Sequence, residues 1–213
     1  MTLKTMTPGR KQLIRISAAL AARDEKSLKT TLLGARAVDR AQVEEAILQS
    51  YLFLGYPIAL NAFALWREIS EGDVPAAVED DWEEWARRGE DVCKTVYGGQ
   101  YEGLRRNVRR LHPDMERWMV VEGYGKVLGR PGLDLATREL CIASLLAVLG
   151  APRQLYSHLR GALNAGADQA EVEEALAVAG DFLSEEGSAK NRKVWERVRT
   201  RASEVEADSP SGP

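Results

Sequence analysis

The chain has 213 residues, of which 45% are hydrophobic and 29% charged, and a formal net charge of −3. That length buries a sizeable core and that balance is ordinary for a globular protein, while the charge excludes the basic footprint of a nucleic-acid binder. No apolar run is long enough to span a bilayer, so no membrane role is expected.

Residues 1–10 read as a flexible start with no apolar segment of the kind a secretory leader needs. Leu13, Ile16 and Leu20 form a helical stripe that ends near Arg23, and Leu28, Leu32 and Leu33 begin a second helix after Asp24. Asp39 caps a third helix, Gly55-Tyr56-Pro57 breaks it, and Ile58 to Ile69 continues as a fourth. A turn at Gly72 to Pro75 leads to a helix carrying Trp82, Trp85, Val92 and Val96 on one face, with the two tryptophans expected in the core or at a subunit contact. Gly98-Gly99 punctuates the chain, and Arg105, Arg106, Arg109 and Arg110 read as a solvated helix face. His112-Pro113 starts a further helix and 129–132 is a loop.

Residues 130–176 are the stretch around which the rest is organised. Leu140 to Leu149 is apolar except for Ser144, which marks a helix buried on nearly every side. Gly150-Ala151-Pro152 makes a tight break, because glycine ends helices in the left-handed conformation and proline suits the first turn of the next. The helix that follows has one apolar stripe (Leu155, Leu159, Ala162, Leu163), carries His158 and stops at Gly166. Asp168 with Glu171 is the pattern of a capping box. No segment alternates like a strand, so the fold is predicted as all-α, and 207–213 has the composition of a disordered tail.

Val43-Glu44-Glu45-Ala46 recurs as Val172-Glu173-Glu174-Ala175, a shift of 129 residues (172 − 43). The same shift pairs Asp39 with Asp168, Phe53 with Phe182, Leu54 with Leu183 and Trp66 with Trp195. This predicts one helical domain over 11–206, made of a degenerate repeat at 11–70, inserted helices at 71–130 and a core repeat at 131–200. The copies differ chemically: Glu139 falls on Arg10 and His158 on Lys29, so an acid–base pair built from Glu139 and His158 exists once per chain.

Taken together, Arg130-Pro131-Gly132-Leu133-Asp134, Thr137-Arg138-Glu139-Leu140, the apolar helix to Leu149 and the run His158 to Gly166 resemble the carboxymuconolactone decarboxylase family, the all-helical fold shared with alkylhydroperoxidase D. The peroxidase branch of that family uses a Cys-x-x-Cys pair seven and four residues before its histidine; counting back from His158 reaches Ala151 and Gln154. Cys93 and Cys141 lie far apart and are expected as free thiols in a reducing cytoplasm, Cys141 with a plain core role. The resemblance therefore implies the decarboxylase branch, whose enzymes take a carboxylate from a small molecule with no metal or organic cofactor.

In that reading His158 is the proton donor, since an imidazole titrates near neutrality, and Glu139 orients or charges it. Arg138 or Arg160 is the candidate grip on a substrate carboxylate, because a guanidinium holds one through two parallel bonds, and Tyr124 and Tyr156 are candidate pocket residues. Glu139 and His158 lie unequal distances from the turn. At about 1.5 Å per residue the mismatch is roughly 7 Å, which predicts a looser or water-linked pair. Two histidines without clustered cysteines make a poor metal-ligand set. The expected function is a cofactor-independent lyase on a small carboxylated or lactone-like molecule; a non-catalytic binding or assembly module is the alternative and a thiol peroxidase the third. The resemblance also implies a homo-oligomer, a dimer or a trimer.

Overall fold

A computed structural model describes residues 6–77 and 81–207, with the side chains of 202–207 left aside. The order is α1 (Pro8–Ala22), α2 (Glu25–Gly34), α3 (Arg40–Gln49), α4 (Tyr51–Leu54), α5 (Tyr56–Ile69), α6 (Trp82–Tyr97), α7 (Tyr101–Leu111) and α8 (Pro113–Trp118). A π-helix (Met119–Leu128) continues directly from α8, and α9 (Leu135–Leu149), α10 (Pro152–Asn164), α11 (Gln169–Gly180) and α12 (Glu185–Ala207) complete the chain. Among the described residues there is no strand, as the sequence predicts.

Local signals account for most helix starts. Asp24, Asp81 and Asp134 each accept the backbone N–H three residues on, and Asp168 forms the full capping box with Glu171. Gly150 takes the left-handed conformation at the end of α9, with φ +75°, and Pro152 opens α10. The chain start differs from expectation: α1 begins at Pro8 behind a Thr7 cap, inside the stretch read as flexible. Proline is tolerated there because its missing N–H would be unpaired in the first turn anyway. Residues 1–5 and the expected tail from 208 on lie outside the described residues.

α1 and α9 form the centre. Leu13, Ile14, Ile16 and Leu20 of α1 and Leu140, Ile142, Leu145 and Leu146 of α9 are all essentially inaccessible, and Ser144 Oγ donates across to the Ile14 carbonyl at 3.0 Å. Charged residues on the rim of α1 reach the second half of the chain. Arg10 pairs with Glu171 and, at 3.5 Å, with Asp134, while Lys11 meets Glu174 at 2.9 Å and Arg15 meets Asp181 at 2.7 Å. Around this centre, α3 and α11 start 129 residues apart (169 − 40), as do α5 and α12 (185 − 56).

The π-helix is the element the sequence did not announce. It packs on α6 backbone to backbone. A Cβ on Gly125 would stand 1.9 Å from the Trp85 carbonyl oxygen, and one on Gly89 would stand 2.1 Å from that of Val120. Only glycine permits such an approach. At the start of α6 Trp82 remains 46% exposed, with the Arg117 guanidinium 5.5 Å over its ring, so it is a surface residue and not part of the core.

Arg138 is wholly buried on α9 and organises the loop before it. Its guanidinium donates to Glu45 Oε2 at 2.8 Å, Gln49 Oε1 at 3.3 Å and the carbonyls of Arg130, Pro131 and Leu133. Burial pulls its pKa down and the Glu45 carboxylate opposes that pull. The loop that resembles a family motif is thus held by carbonyls turned inward onto one buried cation.

Candidate active site

The α9–α10 hairpin brings Glu139 and His158 face to face. Glu139 is inaccessible to solvent and His158 is 6% exposed, and Glu139 Oε2 lies 2.8 Å from His158 Nδ1. The looser or water-linked pair expected from residue counting is therefore replaced by direct contact. The reason is a close approach of the helices at Gly161, where a Cβ would come within 2.6 Å of Glu139 Oε2 and 2.7 Å of Val96 Cγ1. Phe53 stands edge-on to the imidazole with ring centroids 5.6 Å apart, which fixes the ring plane. Among the described residues Glu139 Oε1 has no hydrogen-bond partner, though it is buried. With Nδ1 committed to the carboxylate, Nε2 is the nitrogen left for chemistry.

Gly161→Ala is expected to cost about 1–3 kcal/mol of stability, the usual range for overpacking a tight contact, and to push the Glu139 carboxylate off the imidazole. Urea unfolding measures the first effect, and the position of the His158 imidazole resonances against pH measures the second. An alanine variant matching the wild type in both would show that the contact has room to spare.

His158 faces a cavity of about 710 Å³, a size and character typical of small-molecule sites. One wall is Tyr51, Phe53 and Tyr56 from around the α4–α5 break; another is Leu104 and Val108 of α7 with Met115 and Trp118 of α8. The π-helix supplies Met119, Glu122, Tyr124 and Leu128, and α10 supplies Arg153, Gln154, Ser157 and His158. Polar groups are few. Tyr51 donates to Glu122 at 3.1 Å, and Tyr124 donates to the Tyr97 hydroxyl at 2.9 Å. Burial pushes the phenols of Tyr51, Tyr97 and Tyr124 up, so all three stay neutral near pH 7.

The other residues singled out from sequence divide by position. Tyr124 is in the cavity wall. Arg138 is not: it is bound up with Glu45 and the 130–133 carbonyls and has no free edge for a substrate. Arg160 lies over the Tyr156 ring at 5.9 Å and lines a smaller adjoining cleft of about 190 Å³, which shares Tyr97, Leu104 and Ser157 with the main one. Tyr156 faces α12 in a third cleft with Lys193 and Arg197, away from His158. The guanidinium that does line the cavity is Arg153, in the first turn of α10 and five residues before His158, a spacing that does not by itself put the two on one face. Tyr97, contributed by the end of α6, carried no local signal of its own.

Cys93 and Cys141 are both free and buried, and burial pushes each thiol up to about 12. They are protonated core groups, as expected for Cys141. Among the described residues no three His, Cys, Asp or Glu side chains converge as metal ligands, and no helix is long and apolar enough to cross a membrane.

A second cavity, of about 450 Å³, lies over α2 and is lined in part by Asp24, Glu25, Leu28 and Lys29. Each stands 129 residues before one of Arg153, Gln154, Ser157 and His158 of the main cavity, with Lys29 at that distance from His158.

Known proteins resemble part of the chain. It is 34% identical over 89 residues to the nitrosuccinic acid decarboxylase npaB of Metarhizium robertsii, covering 41% of this chain and 62% of that one, less than two thirds of its length. It is 28% identical over 155 residues to peroxisomal protein 2 of Schizosaccharomyces pombe, covering 68% of this chain and 70% of that one. The segment 113–187, which holds Tyr124, Glu139 and His158 on three successive helices, matches the carboxymuconolactone decarboxylase family.

Proposed function

We propose that the chain is a decarboxylase-like lyase acting on a small carboxylated or lactone-like molecule, with His158 as proton donor and Glu139 as the group that orients and charges it. The observation that carries this is the buried 2.8 Å pair opening onto an apolar cavity. The kinship with a nitrosuccinic acid decarboxylase supports the reaction type. In the reaction the bond between the carboxylate and its carbon breaks, carbon dioxide leaves and the electron pair stays behind. A proton from His158 Nε2–H then goes to that carbon, and solvent re-protonates the imidazole. Glu139 stabilises the imidazolium through Nδ1–H, and Arg153 is the guanidinium placed to hold a carboxylate at the cavity.

We read the helical array as two copies of one module with the chemistry kept in the later copy. Support comes from the shared 129-residue offset of helix starts and from Lys29 lining the second cavity at that distance before His158.

The test is a screen of small β-keto acids, nitro-substituted acids and carboxylated lactones for carbon dioxide release. Turnover of one class, lost in His158→Gln, is the expected result. Binding in the cavity with no turnover of any class would make the chain a binding module instead. Thiol-dependent peroxide turnover is opposed by the two buried, protonated cysteines.

A further inference from the structure

The Tyr97–Tyr124 pair is not used by the proton transfer described above. Tyr124 is 4% exposed, and among the described residues its hydroxyl bonds only to the Tyr97 oxygen, at 2.9 Å. A buried hydroxyl keeps its hydrogen paired, so Tyr124 donates and the Tyr97 oxygen accepts. The proton of Tyr97 is then left to point elsewhere, and Tyr97 lines the cavity that His158 lines. Val96, its neighbour in sequence, packs at Gly161 beside Glu139, and its carbonyl accepts from Asn164 Nδ2 at 2.8 Å, which seats the end of α6 against α10. Accepting one hydrogen bond makes a hydroxyl a better donor of the next. The arrangement is a pair of neutral phenols in the wall of one cavity, with the Tyr97 hydrogen not taken up by its partner.

We propose that the Tyr97 hydroxyl donates a hydrogen bond to an oxyanion formed on the substrate, with Tyr124 positioning it, and that the cavity takes acids whose carboxylate-bearing carbon is bonded directly to a carbonyl carbon. This rests on the lyase reading, and it names what that reading leaves open, the place where the electrons go. When R–CO–CHR′–COO⁻ loses carbon dioxide, the carbon–carbon bonding pair forms a new C=C bond and the carbonyl π pair moves onto oxygen, giving R–C(O⁻)=CHR′. Tyr97 O–H stabilises that oxygen without transferring its proton, because burial keeps the phenol a weaker acid than usual. The His158 proton then goes to carbon, the pair on oxygen re-forms the carbonyl, and R–CO–CH₂R′ leaves. The aromatic and aliphatic lining (Phe53, Leu104, Met119, Leu128) implies that R or R′ is apolar.

The test uses 4-nitrophenolate as a stable oxyanion and 4-nitroanisole as its neutral counterpart, with binding followed by absorbance titration. The wild-type chain is expected to prefer the anion. Tyr97→Phe is expected to weaken the anion about tenfold or more, the scale of one hydrogen bond to a charged group, and to leave nitroanisole within about twofold. Tyr124→Phe is expected to reduce the anion-to-neutral preference by less, as a positioning residue should. If Tyr97→Phe fails to fold because the remaining hydroxyl is orphaned, the double Tyr97→Phe/Tyr124→Phe chain removes both groups and should show the same loss of anion preference. A wild-type chain that prefers nitroanisole, or a variant lacking Tyr97 O–H that holds the anion as tightly, overturns the assignment. The readout needs no turnover, so Tyr97-dependent anion binding without carbon dioxide release would sink the lyase reading and leave the oxyanion site standing.

Discussion

His158→Gln is expected to lower carbon dioxide release by about a hundred- to ten-thousand-fold while the fold survives, the range attributed to a positioned general acid. Glutamine is the informative replacement. Its amide N–H can still donate to Glu139 Oε2, so the buried carboxylate keeps a partner while the titratable nitrogen facing the cavity is gone. His158→Ala mixes two effects. It removes the acid and also strands a carboxylate that is inaccessible to solvent and, among the described residues, already has one oxygen unpartnered, a loss of about 3–5 kcal/mol by the usual cost of breaking a buried pair. Initial rates of carbon dioxide release, read beside thermal melts of both variants, separate chemistry from stability. A glutamine variant that keeps a tenth or more of the wild-type rate would remove His158 from the reaction.

Arg138→Ala should be the most destabilising change of one side chain, at about 3–5 kcal/mol and a fall in Tm of roughly 6–20 °C. The arginine serves five acceptors, two on α3 side chains and three on the loop before α9. Among the described residues, removing it leaves the Glu45 carboxylate with Arg130, at 3.1 Å, as its one ion pair and takes the donor from three inward carbonyls. Arg138→Lys should recover little of this, since one ammonium on a flexible stem cannot span the same acceptors. Urea unfolding of the two variants decides the matter, and a loss below about 1 kcal/mol in the alanine form would show that the network is dispensable. Activity should fall as well, because Glu139 is the next residue along the same helix.

Much of the core of the site is legible in the chain. The apolar run to Leu149, the break at Gly150 and the cap at Asp168 fix where α9, α10 and α11 begin and end, and these signals act over a few residues. The pairing of Glu139 with His158 follows from the hairpin, but its closeness does not. Counting rises along two helices leaves out their lateral approach; Gly161 is visible in the sequence as a small residue that admits a neighbour, but which groups it admits, Glu139 and Val96, is not. The role of Arg138 is hidden for a related reason: an arginine near a catalytic-looking motif reads as a substrate grip until the 130–133 carbonyls are seen to point at it. Tyr97 and Tyr124 belong to elements joined by the Gly89 and Gly125 contacts, and nothing local marks Met119–Leu128 as a π-helix. Pairings of that reach are written in packing, which a periodicity search does not see.

The central place of α1 bears on how the chain is made. Ser144 reaches back 130 residues to Ile14, and the ions on the rim of α1 find their partners at Asp134, Glu171, Glu174 and Asp181. During synthesis the side of α1 that packs on α9 stays uncovered until more than a hundred further residues have emerged (135 − 22). Folding therefore closes late, around a helix made well before its main partner, and a ribosome-bound fragment ending before α9 is a sticky intermediate that needs shielding.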